Sequence, residues 1–86
     1  MNIYFSDTFV TQLQKRYKKK PSLRQKVVKQ TKLFQQDPYY PSLKTHKLKG
    51  KRSKQSSFWI EDNLRIVFIW SGPDVIFTDV LTHDEY

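Results

Sequence analysis

Four residues of the kinds that perform proton transfer and bind anions stand together at positions 83 to 86. They are His83, Asp84, Glu85 and Tyr86, and they follow a strongly basic chain. A histidine changes its charge near neutral pH, so it can give or take a proton under working conditions. The pattern therefore indicates a place where chemistry is done on an anionic substrate.

Positive charge is concentrated in the first part of the chain. Residues 1–54 hold 15 of the 16 Lys and Arg residues, and only Asp7 and Asp37 oppose them. Residues 55–86 hold Arg65 and six acidic residues. A charge asymmetry of this size is typical of proteins with a polyanionic partner, and nucleic acid, an acidic protein or a membrane surface are the candidates.

Length and composition narrow the class of protein. A chain of 86 residues predicts one small domain over 1–86, and 15% aromatic residues argue against global disorder. Without Cys there is no disulfide framework and no thiolate metal site, and two isolated His make a poor metal site, so we expect no metal and no cofactor. No apolar run reaches 18 residues and no signal peptide is evident, which predicts a cytoplasmic protein without a membrane partner.

The elements that position these residues follow from hydrophobic spacing. We predict a strand over 3–5, followed by a helix capped by Ser6. A second helix is predicted to start after Pro21-Ser22 and to end at Asp37-Pro38. Three further strands are predicted over 57–61, 64–70 and 75–81. Asp62-Asn63 and 71–74 are predicted to be the turns between the last three strands. The order is β-α-α-β-β-β, an α+β domain with an antiparallel sheet and a helix pair packed on one face.

A long basic segment connects the second helix to the next strand. Residues 38–54 contain Pro38, Pro41 and Gly50, and only isolated apolar residues such as Leu43 and Leu48. Structureless connections of this length in small domains are usually functional or disordered. The missing acids favour phosphate contacts over generic solubilising charge, and the candidate RNA-binding residues are Lys44, Lys47, Lys49, Lys51, Arg52 and Lys54.

Three motifs on these elements resemble the RelE/ParE superfamily of bacterial toxins. They are the segment Leu43-Lys44-Thr45-His46-Lys47-Leu48-Lys49-Gly50, the strand Leu64-Arg65-Ile66-Val67-Phe68, and the ending Thr82-His83-Asp84-Glu85-Tyr86. Each motif alone is weak, whereas three in the right order form a specific signal. The resemblance covers essentially the whole chain.

The resemblance implies a toxin of a type II toxin-antitoxin pair, most of whose relatives cut messenger RNA on the ribosome without a metal and leave a 2′,3′-cyclic phosphate. It also implies an acidic antitoxin, with which the toxin forms a hetero-oligomer in the bacterial cytoplasm. Attack by the ribose 2′-hydroxyl needs a base, charge to stabilise the phosphorane, and an acid for the leaving oxygen. His suits the first and third roles and Arg suits the second.

Carried over residue by residue, the resemblance assigns catalytic positions to His46, Arg65 and His83. His46 matches an active-site His of the YafQ-like branch, His83 matches the near-terminal His of the YafQ-like and YoeB-like branches, and Arg65 matches a strand Arg that contacts the phosphate. The fit is a mosaic, because the Glu of YoeB-like enzymes has no counterpart near Pro41 and the His of YafQ-like enzymes corresponds roughly to Trp59. The general base therefore stays open, with loop lysines as a further possibility.

Each assignment has an ordinary structural alternative. His46 is also what a solvated loop residue would look like, and Arg65 could form a salt bridge with Glu61 or Asp79. Tyr86 could stack on a base and act in the site, or pack as a terminal apolar plug.

Three functions stay in play at this point. They are a ribosome-dependent endoribonuclease, a ParE-like inhibitor of DNA gyrase that acts by protein contact, and an RNA-binding relative without catalysis. The two His and the basic loop favour the first.

Overall fold

The computed structural model describes residues 1–82, and its elements lie close to the predicted ones. They are β1 (Ile3–Phe5), α1 (Asp7–Lys19), α2 (Leu23–Gln36), β2 (His46–Lys47), β3 (Ser56–Glu61), β4 (Leu64–Ser71) and β5 (Asp74–Thr82). Ser6 caps α1 as predicted, since its Oγ accepts from Phe9 N at 3.0 Å. Ser22, which directly precedes α2, has helical backbone angles, and its side chain makes no capping hydrogen bond.

The sheet has five strands in the order β1-β5-β4-β3-β2. The predicted antiparallel meander of β3, β4 and β5 is confirmed, as are both of its turns. The sheet is not antiparallel throughout, however, because β1 pairs in parallel with β5, with Ile3 opposite Val75. Sequence spacing showed only that residues 3–5 are extended, and the partner of a short strand is a tertiary property.

The two faces of the sheet have different covers. Both helices pack on one face, where four Phe side chains in contact with one another, fully or almost fully buried, form the centre of the core: Phe34, Phe58, Phe68 and Phe77. Among residues 1–82, the opposite face carries a small buried cluster made by Leu48, Val67 and Leu81. The α+β fold class is confirmed.

A bulge in β5 decides which residues reach the second face. Val67 pairs with Asp79 while Phe68 pairs with Phe77, so Thr78 is an extra residue in β5. Because side chains alternate along a strand, the extra residue turns Val80 toward the helices and Leu81 away from them. Three side chains from outside β5 hold the bulge: Ser6 Oγ donates to Thr78 O (3.0 Å), Gln55 Nε2 donates to Thr78 Oγ1 (3.3 Å), and Gln12 Oε1 accepts from Val80 N (2.8 Å).

The basic segment 38–54 is more ordered than the sequence indicated. It contains two 3₁₀ turns, Pro41–Leu43 and Gly50–Arg52, on either side of β2. Leu43 is fully buried in the main core, and Leu48 is buried on the other face. These two leucines, isolated among polar residues in the sequence, anchor the segment around the edge of the sheet. No helix within residues 1–82 is long and apolar enough to cross a membrane.

Candidate functional site

The second face of the sheet brings two predicted catalytic residues together. His46 in β2 lies opposite Ser57 in β3, which in turn lies opposite Val67 in β4. Arg65 stands two residues before Val67, so it projects from the same face as His46. The resemblance placed both residues in one site, and the strand register puts them on one face, one strand apart.

The ring of His46 is oriented by the backbone. Its Nδ1 lies 3.0 Å from the carbonyl oxygen of Lys44. A carbonyl oxygen only accepts, so Nδ1 must carry the hydrogen, and in the neutral ring Nε2 then has the free lone pair. Lys44 has φ +50°, in the left-handed region that few residues other than Gly adopt. This backbone conformation lies directly before the site and is part of what aims the carbonyl at the ring.

Arg65 has buried donors without an acceptor. Its Nε and Nη1 are buried and have no hydrogen-bond partner within the described part of the chain. The two carboxylates that sequence reasoning offered as partners are engaged elsewhere, since Glu61 accepts from Lys20 Nζ at 2.6 Å and Asp79 lies 3.7 Å from Arg52. The hydrogen bond that Lys20 donates to Glu61, together with the negative charge of that carboxylate, raises the pKa of Lys20. The structural salt bridge is therefore absent, and a guanidinium left in this state is suited to bind an anion.

Ser57 adds a further buried polar atom to the same face. Its Oγ is fully buried and has no hydrogen-bond partner among residues 1–82. Ser57 stands between His46 and Val67 in the register, in the row next to Arg65. Buried polar groups without partners are rare in folded proteins, and they often mark functional positions.

Trp59 lies beside Arg65 and carries two lysines. It is opposite Arg65 in the register, and its indole Nε1 donates to Asp62 O at 2.8 Å. The Nζ atoms of Lys26 and Lys44 each lie 5.3 Å from the centre of its ring, within the range of a cation–π contact. Trp59 therefore holds two positive charges next to Arg65.

The remaining predicted residues lie around this face or outside the described residues. Lys49, Lys51 and Lys54 are exposed, and half-buried Arg52 binds Gln55 (3.0 Å) as well as Asp79. Lys47 follows His46 in β2, so its side chain alternates to the other face. His83 and Tyr86 lie outside the described residues. Within residues 1–82, no three His, Cys, Asp or Glu side chains come together to hold a metal.

Several solved structures with this architecture are described as toxins. The chain is similar to a YoeB/ParE toxin from Agrobacterium tumefaciens, with a TM-score of 0.80, 16% identity, and coverage of 96% of this chain and 99% of that one. It is also similar to the Escherichia coli DinJ-YafQ toxin-antitoxin complex, with a TM-score of 0.78, 17% identity, and coverage of 98% of this chain and 93% of that one. A metal-bound toxin from Helicobacter pylori has a TM-score of 0.74 and 24% identity, with coverage of 99% of this chain and 97% of that one. The chain has the RelE-like fold. The resemblance noted from the sequence motifs is thereby confirmed at the level of the fold.

Sequence-based comparisons add no second route to this result. No family model matches the chain, and no curated protein sequence matches it. At 16–24% identity, the structural likeness defines the RelE-like fold and leaves the activity to be argued from the residues themselves.

Three residues of this face were missed by sequence reasoning. Ser57 and Trp59 look like ordinary strand residues, and only the register and the contacts distinguish them. Lys26 lies 33 positions before Trp59 on a different element, so nothing in the sequence signals their contact. The alternation along β3 was the only available signal, because it places Ser57 and Trp59 on the face of Arg65 once β3 and β4 are paired.

Proposed function

We propose that this protein is the toxin of a type II toxin-antitoxin pair and that it cleaves messenger RNA on the ribosome. The observation that carries the proposal is the pairing of two features on one sheet face. His46 has a ring whose Nε2 is left free by the bond from Nδ1 to Lys44 O, and Arg65 has buried donors with no acceptor among residues 1–82. A base and an unpaired cation are what cleavage of a phosphodiester requires.

In the proposed reaction His46 Nε2 removes the proton from a ribose 2′-hydroxyl. The 2′-oxygen then forms a bond to the adjacent phosphorus, and the bond from phosphorus to the 5′-oxygen breaks. Arg65 donates to the phosphoryl oxygens, where negative charge builds up as the phosphorane forms. His83 is the proposed acid that protonates the leaving 5′-oxygen, and Tyr86 is the proposed contact to a neighbouring base. The products are a 2′,3′-cyclic phosphate and a 5′-hydroxyl, and no metal takes part.

The basic segment is proposed to bind RNA around this site. Its exposed lysines lie beside β2 and include Lys49, Lys51 and Lys54. Lysines of this kind contribute affinity that depends on salt and little on base sequence. Sequence selection is then left to the ribosome, which presents the message, and to the residues next to Arg65.

The proposed partner is an acidic antitoxin. One of the structural relatives is a toxin-antitoxin complex, and residues 1–54 of this chain hold 15 basic residues against two acidic ones. An acidic antitoxin segment would be attracted by this charge and would cover the surface that contacts RNA. The expected form is a hetero-oligomer in the bacterial cytoplasm.

A defined message translated by purified ribosomes tests the proposal. With the protein added, we expect new 5′ ends in the coding region, and we expect them to disappear when His46 is replaced by Ala. Much slower cleavage of the same RNA without ribosomes is the expected control result. If messages stay intact while DNA supercoiling changes, the protein is an inhibitor of gyrase and the proposal is wrong.

A further inference from the structure

Trp59 gathers two lysines that have no carboxylate partner among residues 1–82. Lys26 comes from α2 and Lys44 from the basic segment, yet both ammonium groups lie 5.3 Å from the centre of the same indole. No carboxylate of residues 1–82 lies within salt-bridge distance of either Nζ. Two like charges repel each other, so their convergence without an acid marks a position that suits an anion.

The positions of these side chains are set by the fold. β2 pairs only with Ser56 and Ser57, so β3 is an edge from Phe58 onward. Beyond that point α2 hydrogen-bonds to the free edge of β3, where Gln30 Nε2 donates to Trp59 O at 3.1 Å. Gln30 is buried, and Lys26 lies one helical turn earlier on the same side of α2, which brings its ammonium group to the indole. The hydrogen bond from Nε1 to Asp62 O fixes the plane of the ring.

Lys44 links this cluster to the base. Its carbonyl oxygen accepts from His46 Nδ1, while its side chain lies over Trp59. Trp59 is in turn the cross-strand neighbour of Arg65, and such neighbours have Cβ atoms about 4.5 to 5.5 Å apart. The lysine pair therefore lies next to His46 and Arg65, on the side of the site that is nearest α2.

We propose that Lys26, Lys44 and Trp59 form a second phosphate-binding subsite, which holds the phosphodiester next to the one at Arg65. The lysines contact the phosphate oxygens, and the indole provides an apolar surface for the adjoining nucleotide. The inference rests on the proposed function for its substrate, a single RNA strand. Its residues nevertheless have no part in proton transfer, so the subsite can be tested by binding alone.

Fluorescence of Trp59 measures occupancy directly. The chain has two Trp residues, and Trp70→Phe leaves Trp59 as the only reporter. In that background we expect a short single-stranded RNA to change the emission at low salt. Lys26→Gln or Lys44→Gln should weaken binding roughly tenfold, as expected for losing a hydrogen bond between charged groups. Each should also lower the slope of log affinity against log salt by about 0.7.

Lys29→Gln is the matched control. Lys29 is one turn after Lys26 on α2, carries the same charge and is exposed, but does not lie over an aromatic ring within the described residues. The proposal is overturned if Lys26→Gln and Lys29→Gln weaken RNA binding equally, or if RNA leaves the emission of Trp59 unchanged. Trp59→Phe, which keeps an aromatic ring and loses the bond to Asp62, should weaken binding without loss of folding.

Ribosomes separate the two sources of the phosphate. On ribosomes that carry a message, Lys26→Gln should raise the half-saturating concentration for single-turnover cleavage by roughly tenfold. If association with empty ribosomes is unchanged, the phosphate belongs to the message, as proposed. If it falls equally, the phosphate belongs to ribosomal RNA, and the proposal that the subsite holds the phosphodiester next to the one at Arg65 is overturned. An effect confined to binding of an acidic peptide would refute the subsite. Failure of the parent protein to cleave, with RNA binding intact, would refute the proposed function alone.

Discussion

Replacing Arg65 by Met should stabilise the fold and abolish most of the activity. Arg65 Nε and Nη1 are buried donors without a partner among residues 1–82. A buried donor left without an acceptor costs about 1 to 3 kcal/mol, and Met has a similar unbranched stem with no donor. We therefore expect the free energy of unfolding to rise by about 1 to 3 kcal/mol in Arg65→Met. Under the proposed function, the same change removes the positive charge that stabilises the phosphorane, so cleavage should slow by about 10² to 10³.

Thermal and urea unfolding measure the first effect. For a domain of this size, 1 kcal/mol corresponds to a shift in Tm of about 4 to 8 °C, which is readily detected. Arg24→Met is a control, because it also removes one positive charge. Arg24 lies over the Tyr17 ring at 4.8 Å, so this variant should lower the free energy of unfolding by about 0.5 to 1 kcal/mol. Sulfate should raise the Tm of the parent protein more than that of Arg65→Met, since only the parent offers unpaired donors to an anion.

A lower Tm for Arg65→Met would refute the reasoning. It would mean that water or another group satisfies the two donors in solution, and that Arg65 contributes to stability in the ordinary way. A raised Tm with unchanged cleavage would mean that the unpaired guanidinium is not used on the phosphate.

Three further changes test other parts of the structure. Under the proposed function, His46→Gln should slow single-turnover cleavage by about 10² to 10⁴ with little change in Tm, because the base is lost while the ring and its hydrogen bond to Lys44 O are exposed. Gln12→Ala should lower the free energy of unfolding by about 1 to 3 kcal/mol in urea, since the β5 amide at the bulge loses its acceptor, whereas exposed Gln14→Ala on the same helix should change it little. The hydrogen bond to Glu61 raises the pKa of Lys20 in the folded state, so it contributes stability that is present below pH 10.5 and is lost as the pH rises through that raised pKa. In Glu61→Gln this loss of stability at alkaline pH should be smaller, which thermal unfolding across the same pH range would measure.

Local patterns predicted most of the elements, and tertiary contacts decided the rest. The bounds of β1, both helices and the β3–β5 meander follow from alternation, helical spacing and turn residues, each of which is visible within a few positions. The parallel pairing of β1 with β5 depends on residues 72 positions apart, and no local pattern encodes it. The same limit explains Leu43, whose isolated position in a polar segment hides its place in the main core.

The candidate site divides in the same way. His46 and Arg65 were found from their residue types and the motifs around them. The spacing of two residues between Arg65 and Val67 in a strand also indicates that the two side chains share a face. The free Nε2 of His46 depends on the carbonyl group of Lys44, whose backbone is in the left-handed region. A lysine in a loop gives no sequence signal for that conformation. The lysine pair on Trp59 brings three separate elements together, so it required the fold.

The position of β5 also bears on when the protein becomes active during its own synthesis. β5 lies between β1 and β4, so the sheet can close only after residues 74–82 have left the ribosome. Contacts between distant residues form slowly, because a long loop must close before they are made. Until then Arg65 lacks its neighbour Leu81, and β1 lacks the strand it pairs with. Under the proposed function, the chain therefore cannot cleave messenger RNA until β5 has been synthesised and has joined the sheet.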